Sequence, residues 1–195
     1  MKSKIMRKAL AVIMTFMMVM TAMPTVFAAN VSDFADFPTG WSSEAVRAAV
    51  DNGLLNGRTP TTLEPTGNLT RAELAAIINR AFGATIEKDI SQYTDVSKSQ
   101  WYYHDIAKAV NMQTFSGDSN NLMRPDDNIT REEVFAAVAR ALVLETSDYS
   151  AISAFGDGAY VSDWAKKYVS ILASKKYING NNYGNIFPKD YIKRE

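Results

Sequence analysis

Apolar positions recur along the chain in two alternating kinds of run. Ala45, Val46, Ala49 and Val50 lie on one face at helical spacing and predict a helix, which Gly53 is placed to close in a left-handed cap. The same face returns as Ile106, Ala109 and Val110, and again as Val169, Leu172 and Ala173. Each run gives way to a Gly- and Asn-rich loop that closes near a proline. A second helix is predicted from Thr70, with face Leu74, Ile77, Ile78 and Ala81, and Gly83 ends it. Another begins at Thr130, with face Val134, Val138, Ala141 and Leu142.

These runs sit in register. Sixteen residues after Trp41, Trp101 and Trp164 come Gly57, Gly117 and Gly180. Eight residues further stand Pro65, Pro125 and Pro188, and six beyond those Arg71, Arg131 and Arg194. No insertion is needed across that stretch in any copy. Phe34-Ala35-Asp36, Tyr93-Thr94-Asp95 and Phe155-Gly156-Asp157 lead into the tryptophans through loops of slightly different length. The fold class is therefore all-α: three tandem helix-loop-helix repeats over 33–84, 93–145 and 155–195. One repeat cannot bury both of its apolar faces alone, so a single three-lobed unit is expected. The third copy stops at Glu195, before its second helix, which reads as a fragment or the front of a longer protein.

Composition changes the picture at the N-terminus. Lys2, Lys4, Arg7 and Lys8 precede an apolar run from Ala9 to about Met23, then Pro24 and the small-residue site Val26-Phe27-Ala28. This is the layout of a secretory signal peptide over 1–28. The run is shorter than the roughly 20 residues of a spanning helix, so no membrane association is expected after cleavage. No cysteine follows it, which excludes a lipoprotein. The whole chain balances 21 basic against 21 acidic residues; without the four basic residues of the signal it is 17 against 21, a net −4. That charge argues against a nucleic-acid partner. Export without any cysteine means a fold held by its core and suits a bacterial exterior. The Asn-x-Ser/Thr sequons at Asn30, Asn68 and Asn128 are read as coincidence for that reason.

Two stretches, NLTRAELAAI and NITREEVFAA, carry the candidate chemistry. Thr70 with Glu73, and Thr130 with Glu133, have capping-box spacing. That accounts for the threonine and the glutamate but not for the arginine between them, which a helix N-terminus mildly disfavours. In copy three the threonine has become Lys193, yet Arg194 remains. A guanidinium beside free helix N–H groups suits a carboxylate or phosphate. An ion pair with an acidic residue of a neighbouring repeat explains it equally well. Nothing assembles a catalytic site: His104 has no counterpart in the other copies, and Asp126-Asp127 reads as a turn. No metal cluster or cofactor motif is visible.

The series Asp95…Trp101…Ala109…Gly117…Pro125…Ile129-Thr130-Arg131-Glu132-Glu133, with Thr70-Arg71-Ala72-Glu73, resembles the S-layer homology domain. The resemblance covers residues 33–195 and implies a pseudo-threefold helical bundle with ligand grooves between adjacent repeats. It implies a secreted, non-catalytic anchor that binds secondary cell-wall polysaccharide, often a polymer carrying a pyruvate ketal, at the cell wall or surface layer of a Gram-positive bacterium. By position, Arg71, Arg131 and Arg194 would contact the acidic group and Asp36, Asp95 and Asp157 sugar hydroxyls. Gly57, Gly117 and Gly180 would admit the sugar or simply make a turn, the turn being favoured. Trp41, Trp101 and Trp164 would stack on a ring or pack, and packing is expected of a large aromatic before a core helix. The copies differ in their loops, so unequal grooves are expected. Other readings are a wall-anchored enzyme whose catalytic domain lies beyond residue 195, and a helical scaffold that binds proteins through apolar surface. Self-assembly would fall to downstream regions.

Overall fold

The computed structural model describes residues 30–195; the signal segment 1–28 lies outside the described residues. Five helices follow one another: α1 Ser43–Asp51, α2 Arg71–Phe82, α3 Tyr103–Asn111, α4 Arg131–Ala141 and α5 Lys166–Ser174. Short 3-10 turns cover Val31–Asp33, Ser150–Ala154 and Gly158–Tyr160. Among the described residues the only β-type pairing is a set of isolated bridges, and no helix is long and apolar enough to cross a membrane.

Copies one and two each supply a first and a second helix, and copy three a first helix, as the periodicity predicts. The second helix packs on the first helix of the following repeat: α2 on α3, and α4 on α5. Ile78 and Val134 share one apolar cluster with Ile106 and Val110, while Phe135 and Ala139 share another with Val169 and Leu172. Val46 and Val50 of α1 bury against Phe34, Leu55 and Leu63. Three expectations need correction. Ala45 and Ala81 are exposed, and Leu142 is largely so. Ala81 and Leu142 fall at helix C-termini, far from the centre of the bundle. No second helix covers the Ala45 side of α1 among the described residues.

At their centre the three repeats are joined by a cycle of backbone hydrogen bonds. The Leu69 N–H donates to the Ile192 carbonyl (2.9 Å), the Ile129 N–H to Leu69 (3.0 Å), and the Ile192 N–H to Ile129 (3.1 Å). This cycle satisfies polar groups that would otherwise be orphaned in the middle of the core. Ile129 is fully buried there. Three copies therefore make one unit, and Ile192 of the third completes the ring.

Helix ends repeat more faithfully than the sequence does. Gly53 takes φ +66°, as expected, but Gln113 (+60°) and Lys176 (+59°) hold the same place in copies two and three. Gly83 (+64°) likewise corresponds to Val143 (+53°). A β-branched residue in this left-handed region is strained. Val143 is 84% exposed, so little packing offsets that strain. Val143→Gly is expected to stabilise the protein by about 0.5–1 kcal/mol, read as a rise in the thermal midpoint. An unchanged or lower midpoint would show that the strain is already relieved.

Candidate functional site

The loop before each proline is held from two sides. Asp36 accepts from the N–H groups of Leu63 (2.8 Å) and Glu64 (2.7 Å). Asp95 does the same for Met123 and Arg124, and Asp157 for Ile186 and Phe187. The second residue of each pair is left-handed: Glu64 at φ +53°, Arg124 at +52°, Phe187 at +49°. Each aspartate thus fixes a backbone kink that its non-glycine residue would not adopt alone. In copy one the Leu63 N–H chiefly holds the Asp36 carboxyl below its ordinary value; burial opposes this, and the Glu64 N–H reinforces it.

The arginines grip the carbonyl side of the same loops, one repeat further on. Arg71 Nε donates to Met123 O (2.9 Å), Arg131 Nε to Ile186 O (2.6 Å), and Arg194 Nε to Leu63 O (2.8 Å). The grip is cyclic: copy one holds copy two, two holds three, and three holds one. The helix N–H groups beside these arginines are not free, contrary to expectation. Arg71 and Ala72 N–H donate to Asp127 and Pro125 carbonyls, and Arg131 and Glu132 N–H to Asp190 and Pro188. Arg194 and Glu195 N–H donate to Gly67 and Pro65. Buried amides at a helix start require such partners, and the adjacent repeat supplies them.

The internal ion pair is realised twice. Arg71 Nη1 meets Glu133 at 2.7 Å, and Arg194 Nη1 meets Glu73 at 2.7 Å. Arg194 also donates through Nη2 to Asn56 O, and its side chain is only 3% exposed. Burial pulls the Arg194 pKa below its usual value, against the opposing pull of Glu73. Arg71 is less enclosed, with its guanidinium 5.6 Å from the Phe115 ring centre. Arg131 sits 5.5 Å from the Phe135 ring and has no carboxylate partner among the described residues.

Two grooves open at equivalent places, and each draws on all three repeats. The first, about 820 Å³, lies between the Gly57 loop and the start of α2, and Trp101 and Arg194 complete it. The second, about 620 Å³, lies between the Gly117 loop and the start of α4, and Trp164 and Arg71 complete it. The structure therefore brings together Gly57, Trp101 and Arg194, and separately Gly117, Trp164 and Arg71. Trp41, Arg131 and Gly180 line neither groove, and nor do Asp36, Asp95 and Asp157. Packing of the tryptophans is overturned: Trp41, Trp101 and Trp164 are 85%, 58% and 48% exposed. Each stands in the loop before its helix, with the small or tyrosyl residue that follows turned inward instead. The glycines are required by close packing rather than by φ. A Cβ on Gly57 would lie 2.5 Å from the Phe34 ring, and one on Gly117 2.3 Å from the Tyr93 ring.

Further groove residues had weaker signals or none. Arg80 and Arg140 recur nine residues after Arg71 and Arg131, a match present in the sequence but overlooked. Arg58 has no counterpart. It lies in the first groove and bonds Glu73 through Nε and Nη2 and Glu64 through Nη1. Burial pushes the Glu73 carboxyl up, but Arg58, the Thr70 N–H and Arg194 together hold it below its ordinary value. Glu73 thus links the helix cap to two arginines. His104 is exposed and pairs with Glu87 at 3.1 Å. No group of side chains fit to hold a metal occurs among the described residues.

Comparison with known proteins agrees with the threefold repeat. The model of the S-layer homology domain matches residues 33–75, 92–135 and 154–195. The surface-layer 125 kDa protein of Lysinibacillus sphaericus is 32% identical over 97% of this chain and 16% of its own length. Exoglucanase XynX of Acetivibrio thermocellus is 32% identical over 83% of this chain and 15% of its own. The S-layer protein of Bacillus thuringiensis is 27% identical over 96% of this chain and 23% of its own. The chain spans less than a quarter of the length of these relatives. With its three matched repeats closed into one cyclic unit, the chain belongs to the S-layer homology domain family, whose members anchor proteins at the cell surface.

Proposed function

We propose that the two grooves bind an anionic polysaccharide of the cell wall and so attach a longer secreted protein to the bacterial surface. The observation that carries this reading is an exposed tryptophan beside arginines, built twice at equivalent positions. An exposed indole offers a flat apolar face to a pyranose ring, while nearby guanidinium groups take a carboxylate. In the first groove Arg58 and Arg80 are the accessible cations, and Arg194 is the buried residue that positions Glu73. In the second groove Arg140 is the accessible cation, and Arg71, 15% exposed, holds Glu133 as Arg194 holds Glu73. At the third junction the corresponding residues are Arg131, Gly180 and Trp41. The aspartates Asp36, Asp95 and Asp157 act through the loops they hold, not through sugar hydroxyls. A pyruvate ketal, as the family resemblance suggests, has the size and charge for these grooves.

The relatives are named as an exoglucanase and as surface-layer proteins, so the module serves different cargoes in them. This chain is read in the same way, as the wall-binding part of a larger protein. A protein-binding scaffold fits less well, because arginine, glutamate and threonine line the grooves.

Sedimentation with purified wall sacculi tests the reading. The protein is expected to pellet with intact sacculi and to stay in solution once the attached polysaccharide is stripped. The double variant Trp101→Ala, Trp164→Ala is expected to bind at least about tenfold more weakly, since each indole is a large anchor. Binding that survives stripping, or a double variant that pellets like the wild type, would contradict it.

A further inference from the structure

A third cavity, about 660 Å³, opens on the outer side of the junction between copies two and three. Arg140, Leu144, Tyr149, Lys167 and Tyr168 line it. Arg140 also lines the second groove, so its guanidinium forms the partition between the two spaces. The partition is fixed: Arg140 Nε donates to the Tyr168 hydroxyl (2.9 Å) and Nη1 to Thr114 O (3.3 Å). Its guanidinium also lies 4.7 Å from the Tyr168 ring centre, and Lys167 Nζ lies 4.8 Å from the same ring. Burial pushes the Tyr168 hydroxyl up, but hydrogen bonds from and charges on Arg140 and Lys167 outweigh it and lower it. Two cations therefore converge on one phenol, and Tyr149, 48% exposed, offers a second aromatic face.

The preceding junction shows what this costs and what it is not. His104 and Asp105 stand there in place of Lys167 and Tyr168. Both are already paired, His104 with Glu87 at 3.1 Å and Asp105 with Asn79 at 3.0 Å. The carboxylates Glu87 and Asp105 stand at that junction, whereas the outer cavity is lined by Arg140 and Lys167 with only Glu145 among its lining residues to offset them.

We propose that this outer cavity is a second subsite for the same anionic glycan. On the reading above, one strand lies in the second groove, passes Arg140, and places a further sugar or acidic substituent between Lys167 and Tyr149. The second groove is then the longer of the two, and it discriminates by glycan length as well as charge. Arg140 positions the strand at the crossing, Lys167 meets its charge, and the tyrosine rings meet its apolar face.

The test uses a Trp101→Ala background, in which the second groove is the tryptophan-bearing one. Disaccharide and hexasaccharide fragments, released from the wall polysaccharide of the producing strain by endoglycosidase digestion, which leaves acid-labile ketals in place, are titrated by calorimetry. The hexasaccharide is expected to bind about five- to tenfold more tightly than the disaccharide, the scale of one added charged and stacked contact. Lys167→Glu and, separately, Tyr149→Ala are expected to remove that gain. If the gain is absent, or persists in both variants, the subsite is overturned while the grooves stand. If neither fragment binds in any background, the groove reading falls, and this inference with it.

Discussion

Arg194→Ala is expected to lower the free energy of unfolding by about 3–4 kcal/mol. The side chain is almost fully enclosed and holds three partners from copy one: Leu63 O, Asn56 O and Glu73. Removing it leaves the buried Leu63 carbonyl and the part-buried Asn56 carbonyl without this donor. Glu73 keeps Arg58, so the loss stays short of that for an isolated buried charge. Against a typical total of about 5–15 kcal/mol the change is large. Urea unfolding followed by far-UV circular dichroism reads it directly. Arg194→Lys keeps the charge but cannot reach all three partners, so an intermediate midpoint is expected. A wild-type midpoint in the alanine variant would show that closure of copy three onto copy one does not depend on this clasp.

Asp36→Ala acts on the same loop from the other side. It removes two charge-assisted bonds to backbone N–H groups and releases Glu64 from a left-handed conformation. A loss of about 2–3 kcal/mol is expected. The pH dependence has a definite sign. Asp36 and Glu73 both have folded-state values below their ordinary ones. The unfolded chain therefore binds protons more readily than the native one in that range. Their stabilisation is complete above the ordinary carboxylate range and disappears as pH falls through the depressed values. Unfolding midpoints measured from pH 6 down should decline below about pH 4. Asp36→Ala should decline less steeply than the wild type. Because Asp36 and Arg194 grip the two faces of Leu63, their double variant should cost less than the two losses added together.

The helices and their order were legible because the apolar periodicity is strong and is printed three times. The cyclic register was not. It depends on which carbonyl faces which helix start, and residue type does not carry that. Arg71, Arg131 and Arg194 show the limit well. Their recurrence against the helix dipole marked them as special, but the same recurrence fits a ligand contact and an inter-repeat clasp. The structure shows them gripping carbonyls in all three copies and pairing with glutamate in two. The tryptophans were misjudged because a large aromatic before a core helix usually packs. Here Ser42, Tyr102 and Ala165 take the buried place beside them, leaving the indoles outside. Left-handed positions were visible only where evolution had placed glycine; Gln113, Lys176 and Val143 gave no sign. The aspartates were candidate ligand contacts through the family resemblance alone, and residue type gave no sign of their backbone partners, which lie about thirty residues away in sequence.

Carboxylate recognition by the groove arginines is the central claim, and one comparison tests it most directly. Wall polysaccharide is titrated into the protein by calorimetry before and after its carboxyl groups are reduced to alcohols, at fixed ionic strength. The native polymer is expected to bind and the reduced polymer to lose at least about tenfold in affinity, the scale of one charge-assisted contact. Equal affinity for the two polymers would mean that the arginines serve the fold alone and that the glycan is held by other means.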